Sequence, residues 1–101
     1  MSAGATVYEV TMDVAPEHAA ALERYMRGTH IPEILATGCF ASIAFELASP
    51  TRYRTRYVGR TRADVERYLA EHTAGFRADF ASHFPTGVVA VREMWDVLET
   101  W

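Results

Sequence analysis

The sequence has no lysine, no asparagine and no glutamine, and all ten of its basic residues are arginine. That skew reads as the codon bias of a GC-rich genome rather than as chemistry. Cysteine is nearly missing too. Cys39 stands alone, which rules out an intrachain disulfide and suits a reducing cytoplasm. The histidines, His18, His30, His72 and His83, are dispersed, with no Cys-x-x-Cys or His-Glu-x-x-His spacing, so no metal site is expected. A Gly-rich phosphate loop, a nucleophile elbow and an acidic metal cluster are likewise absent. This disfavours nucleotide, serine-hydrolase and metal chemistry and leaves no cofactor to expect. No apolar run approaches the roughly 18 residues of a membrane span, and no charged-then-apolar leader opens the chain. A cytoplasmic protein, neither secreted nor membrane-spanning, is the expectation. The net charge of −3 argues against nucleic acid as a partner, since nonspecific binding needs a basic surface.

Apolar surface is what the chain has in quantity. Half of the 101 residues are hydrophobic and 12% are aromatic, enough for one core, and a single domain over residues 1–101 is expected. A domain of this size buries only about 60–65% of its unfolded surface. With a disulfide and a metal excluded, a partner subunit is the remaining means of adding stability.

Met1 to Ala5 is small and polar and reads as a frayed start. Thr6 to Val14 alternates, with Tyr8, Val10, Met12 and Val14 on one side and Val7, Glu9, Thr11 and Asp13 on the other, the pattern of a half-buried strand. Pro16 fits the first turn of a helix carrying Leu22, Tyr25 and Met26, which should stop near Gly28. Thr29 or His30 then precedes a short second helix, closed by Gly38 as a left-handed cap. A second strand places Ala41, Ile43, Phe45 and Leu47 opposite Phe40, Ser42, Ala44 and Glu46. Ser49-Pro50 turns into a third strand, where Tyr53, Thr55 and Tyr57 oppose Arg52, Arg54 and Arg56. Thr61-x-x-Asp64 resembles a capping box opening the longest helix, with Val65, Tyr68, Leu69, His72, Phe76 and Phe80 as its apolar stripe and Gly75 as a possible kink. Phe84-Pro85 ends it, and Gly87 to Leu98 forms the last strand. The order β-α-β-β-α-β predicts an α+β, ferredoxin-like fold: a four-stranded antiparallel sheet with the helices on one face.

Tyr8, Val10, Met12, Ile43, Phe45, Val89 and Val91 are assigned to the helix-covered face. The other then shows Glu9, Ser42, Glu46, Arg52, Arg54, Arg56, Arg92 and Asp96, mixed with Val7, Phe40, Ala44 and Met94. Opposite charges there can pair across strands. The interspersed apolar residues, and the lack of any other staple, favour a homodimer packed through this face.

Tyr8-Glu9-Val10, the block from His30 through Pro32 and Gly38 to Phe40, Arg77-Ala78-Asp79 and Phe84-Pro85 together resemble an uncharacterised bacterial family, the domain of unknown function 4286 family. The likeness runs from about Val7 to Val97. It implies the dimeric α/β-barrel type of ferredoxin-like domain, whose members include cofactor-free monooxygenases on aromatic polyketides, small isomerases and cyclases, haem-degrading enzymes and ligand-sensing barrels. The family carries no established catalytic set to transfer.

His30 is the first candidate for catalysis, because an imidazole between helices and sheet can move a proton near neutral pH. Its alternative is a helix-capping role. Glu93, interrupting the Val89, Val91 and Trp95 face, would be a second acid or base if buried, or else a solvent-facing or Arg-paired carboxylate. Tyr8, Tyr53 and Tyr57 can orient a flat substrate or donate to a developing oxyanion; packing is the alternative. His72 and Trp95 complete the substrate-binding candidates, and each has a packing role as its alternative. Arg62 and Arg77 could neutralise an acidic ligand or lie idle on a helix surface. Cys39 lacks an activating base and reads as a small apolar residue. Together these point to a cofactor-independent enzyme on a small apolar or aromatic metabolite, or alternatively to a non-catalytic ligand-binding or dimeric assembly module.

Overall fold

The alternating segments form four strands in a computed structural model that describes residues 4–101. They are β1 (Thr6–Val14), β2 (Ser42–Ser49), β3 (Arg52–Gly59) and β4 (Val88–Asp96). All neighbouring pairs are antiparallel, in the order β2-β3-β1-β4. The helices are α1 (Ala19–Tyr25), α2 (Ile31–Leu35), α3 (Arg62–Glu71) and α4 (Thr73–His83), and the fold is ferredoxin-like. Of the frayed start expected at Met1 to Ala5, Met1, Ser2 and Ala3 lie outside the described residues. Ala5 is held, its carbonyl accepting from Val97 N–H at 2.9 Å.

The helix-side face of β1 and β3 follows the sequence pattern. Tyr8, Met12 and Val14 are buried there beside Tyr53, Thr55 and Tyr57. Thr61 caps α3, its hydroxyl accepting from Asp64 N–H at 3.2 Å, and α3 buries Val65 and Tyr68. Gly59 is required by close approach. A Cβ there would lie 2.6 Å from Val65 Cγ2.

Four expectations are corrected. β4 has the opposite face inward. Directly opposed residues of an antiparallel pair share a face. Ala90, Arg92 and Met94 oppose Met12, Val10 and Tyr8 and so lie under the helices, while Val89, Val91, Glu93 and Trp95 point outward. Both faces of β4 carry apolar residues, so alternation could not choose between them, and a one-residue slip inverts every side chain. Val89, Val91 and Trp95 are accordingly 66%, 58% and 52% exposed. Phe40 precedes β2 and is buried against Tyr57 and Tyr68 rather than on the open face.

The first helix does not stop at Gly28. Met26–His30 forms a π-helical turn, with Ile31 N–H donating to the Met26 carbonyl, and the backbone continues into α2. Pro32 sits in the first turn of α2, where its missing N–H is tolerated, and Gly38 closes the segment at φ 78°. The long helix is divided at His72, with φ −123°, and not at Gly75.

The open face carries the expected ion pairs. Arg54 binds Glu46 at 2.7 Å, Arg54 and Arg56 each lie 3.8 Å from Glu9, and Arg52 lies 3.7 Å from Asp13. No helix among the described residues is long and apolar enough to cross a membrane.

Candidate functional site

The core is split. One cluster gathers Tyr8, Phe40, Tyr57, Val65 and Tyr68 around Ile34 and Cys39; the other gathers Met12, Val14, Leu22, Tyr25, Met26 and Tyr53. Val10, in the middle of the sheet, touches both and is only half-buried. The space above it is a cavity of about 310 Å³. That is the size at which small-molecule pockets begin. Its floor is Tyr8, Val10, Met12, Thr55 and Tyr57 with Ala90 and Arg92; its roof is Met26, His30 and Tyr68 with Phe76, Arg77 and Phe80. Arg77, Ala81 and Arg92 are the exposed lining residues and mark the mouth.

His30 is buried in the roof. The π-helical turn, which adds one residue to the helical repeat, sets its position after Met26. Its ring meets Phe76 and Phe80 edge-on at 6.0 and 5.7 Å. Tyr25 Oη lies 3.3 Å from His30 Nδ1 and donates to Asp79 Oδ2 at 2.5 Å. A phenol has one proton, and here Asp79 takes it. The contact with His30 therefore has Nδ1–H as donor, which leaves the lone pair on Nε2. Burial pushes the His30 pKa down to about 4 against a smaller opposing pull from Asp79. Burial first, then the Asp79 hydrogen bond, hold the Tyr25 phenol well above its ordinary value. The imidazole is thus neutral at physiological pH, with a basic nitrogen in an apolar roof.

Polar groups on the floor are few. Arg77 Nη2 donates to Tyr8 Oη at 3.2 Å. Burial chiefly raises the Tyr57 phenol, opposed in part by a contact with the Thr55 hydroxyl and less by the Arg92 charge, and pushes Tyr68 up to about 12, opposed in part by Thr73 and Arg77. Thr55 is fully buried. Its hydroxyl meets no partner with full hydrogen-bond geometry among the described residues; the Tyr57 phenol is near enough for a weak hydrogen-bonding contact with it.

Of the residues singled out from sequence, His30, Tyr8, Tyr57 and Arg77 line this cavity. Tyr53 does not: it stacks on Phe45 and donates to Glu23 at 2.8 Å. His72 is half-buried, stacks on Tyr68 at 6.2 Å and stays outside the lining. Glu93 and Trp95 lie on the opposite side of the sheet, by the inverted register of β4. Arg62 pairs with Asp96 at 3.0 Å, away from the cavity. Sequence reasoning missed Tyr25, Asp79, Thr55, Tyr68 and Arg92. Only Arg92 had a local signal, a charge within a Val-rich strand, and alternation put it on the wrong face. No group of three His, Cys, Asp or Glu residues able to hold a metal occurs among the described residues.

Residues 5–98 match the family described as Domain of unknown function (DUF4286). The chain belongs to that family. No curated protein matches it. Among solved structures, the chain shares its fold with ActVA-Orf6, a monooxygenase from Streptomyces coelicolor in complex with nanaomycin D (TM-score 0.71, 16% identity, covering 97% of this chain and 91% of that one). It is similar to a variant of SnoaB, a cofactor-independent oxygenase from Streptomyces nogalater (TM-score 0.70, 15% identity, 97% of each chain). It is also similar to a dimeric ferredoxin-like protein from an uncultured marine organism (TM-score 0.68, 17% identity, 96% of this chain and 98% of that one). Identities this low show the fold alone.

Proposed function

We propose that this DUF4286 chain is a cofactor-independent enzyme acting on a small, flat, apolar or aromatic metabolite bound between sheet and helices. The observation that carries the reading is a buried neutral histidine at a cavity, its tautomer set by a tyrosine that is itself bonded to a carboxylate. His30 Nε2 takes a proton from an activated C–H or O–H of the ligand. Tyr25 and Asp79 hold the imidazolium that forms, as a carboxylate does in other histidine relays. Loss of that proton yields an enolate or phenolate, the shared first intermediate of isomerisation, of cyclisation and of direct reaction with O2. Tyr8 and Tyr57, phenols on the floor, orient the ring and donate to developing charge. Two of the structural neighbours are oxygenases, which favours this class at the level of fold.

The working unit in this reading is a homodimer in the cytoplasm, where the buried Cys39 stays reduced. Val89, Val91 and Trp95 form an outward stripe that a second copy would cover. That stripe also favours the second reading, a binding or assembly module in which the dimer matters and His30 is structural.

The test is a thermal-shift screen of aromatic acids, phenols and polyketide-like compounds on the native protein and on His30→Ala. A ligand that binds the folded state raises the melting temperature by mass action. Expected is a hit whose shift weakens in the variant and which the native protein turns over. A hit bound but not turned over favours the module, and a flat panel overturns the reading.

A further inference from the structure

The cavity is lopsided in charge. Six of the ten arginines make ion pairs with carboxylates: Arg27, Arg52, Arg54, Arg56, Arg62 and Arg67. Arg77 and Arg92 have no carboxylate partner among the described residues, and both line the cavity. No aspartate or glutamate lines it, although acidic residues outnumber basic ones in the chain as a whole. Two cations on different elements, α4 and β4, thus flank one apolar opening with nothing to neutralise them. An apolar recess with unpaired guanidinium groups at its mouth selects a ligand that is apolar along its body and anionic at one end.

The sheet sets the spacing. Thr55 opposes Val10, and Val10 opposes Arg92, so the three lie in one row across β3, β1 and β4. Strands are about 5 Å apart, which separates the Thr55 and Arg92 backbones by roughly 10 Å. Half-buried Val10 lies between them as the bed of the cavity. At the far end is the Thr55 hydroxyl, fully buried and without a properly formed hydrogen bond. A buried hydroxyl left this way costs free energy that a ligand's polar atom would recover.

We infer that the cavity takes a small flat aromatic acid, its carboxylate held by Arg92 and Arg77 at the mouth, its ring over Val10, and a polar substituent at the far end bonded to Thr55. This rests on the reading of the cavity as a ligand site and names the ligand class. The carboxylate is the handle, and His30 in the roof acts on the ring or its substituent.

The experiment uses 2-naphthoate, its uncharged partner 2-naphthamide, and 6-hydroxy-2-naphthoate, with affinities measured by calorimetry on the native chain. Expected is at least tenfold tighter binding of naphthoate than of naphthamide. Arg92→Gln loses that advantage while naphthamide is unaffected, and Arg92→Lys restores part of it. Thr55→Val weakens the hydroxylated acid relative to naphthoate. A melting temperature near the native one shows that each variant is folded. Equal binding of acid and amide overturns the inference and leaves the ligand site standing. An Arg92→Gln variant that keeps the preference for acid overturns it as well. If none of the three binds, the ligand-site reading falls with it.

Discussion

Tyr25 lies between His30 and Asp79, 3.3 Å from the imidazole Nδ1 and bonded to the carboxylate at 2.5 Å. His83 covers the other side of the tyrosine ring at 4.4 Å, and its Nδ1 lies 2.9 Å from the Asp79 carbonyl. The relay draws on three elements: α1, the π-helical turn that continues it, and α4. Disturbing any member should be felt at His30.

The imidazole contributes to the pH dependence of stability. Its pKa is held near 4 against an ordinary 6.5, burial being the main cause. Between those values the unfolded chain takes up a proton that the folded one refuses. The His30 contribution is therefore complete above about pH 6.5 and declines as the pH falls toward 4, by roughly 3 kcal/mol in all. Urea denaturation of the native protein and of His30→Gln from pH 7 to pH 4 checks this. The difference between the two should shrink over that range, and a constant difference would contradict a buried neutral imidazole.

Asp79→Asn removes the charge that pulls the His30 pKa upward and the partner that raises Tyr25. Both pKa values should fall. Histidine ring resonances followed by NMR through an acid titration report the first, and tyrosine ultraviolet absorbance through an alkaline titration reports the second. A rise at His30 would mean that the carboxylate does not reach it.

Gly59→Ala should destabilise by about 1–3 kcal/mol, because the new methyl group meets Val65 Cγ2 at 2.6 Å and the Thr61 carbonyl at 3.2 Å. Combined with Val65→Ala, the loss should be smaller than the sum of the two single losses. Thermal or urea unfolding of the four proteins measures the coupling. Strict additivity would refute the contact.

The outward stripe of β4 predicts an assembly phenotype. Val91→Glu or Trp95→Glu should convert a dimer to a monomer, read by light scattering on a sizing column, with cavity ligands still bound. Two carboxylates already oppose each other on this face, Glu9 and Glu93, and among the described residues only Glu9 has arginine partners. A native protein that is monomeric at all concentrations would rule the dimer out.

Legibility in the sequence varied with how much each residue pattern excluded. On β1 and β3, Glu9, Thr11 and Asp13 and then Arg52, Arg54 and Arg56 recur at every second position, which marks that face as the outward one. The Thr61 cap was readable because its chemistry is local. β4 has apolar residues at successive positions, and its inward face is decided by register with β1, which no local pattern encodes. The same slip hid Arg92 and misplaced Glu93. The π-helical turn left no mark, since Gly28 and Thr29 suit an ordinary break equally well. His30 was legible as a residue type at a junction, but Tyr25 and Asp79 are 54 positions apart and meet only after folding. The cavity has no sequence signature, because it arises from side-chain lengths on opposing elements.

The π-helical turn is a one-residue insertion carried inside a helix. Deleting Gly28 or Thr29 would let the segment relax to an ordinary α-helix, because the wide turn takes up one extra residue without turning α2 against α1. Cβ added at Gly28 would meet open space, so the excised position carries no packing of its own. α1 and α2 would keep their places against the sheet, as would α3 and α4. A change of chain length by one residue is thus absorbed where it occurs, and the scaffold on either side is spared it.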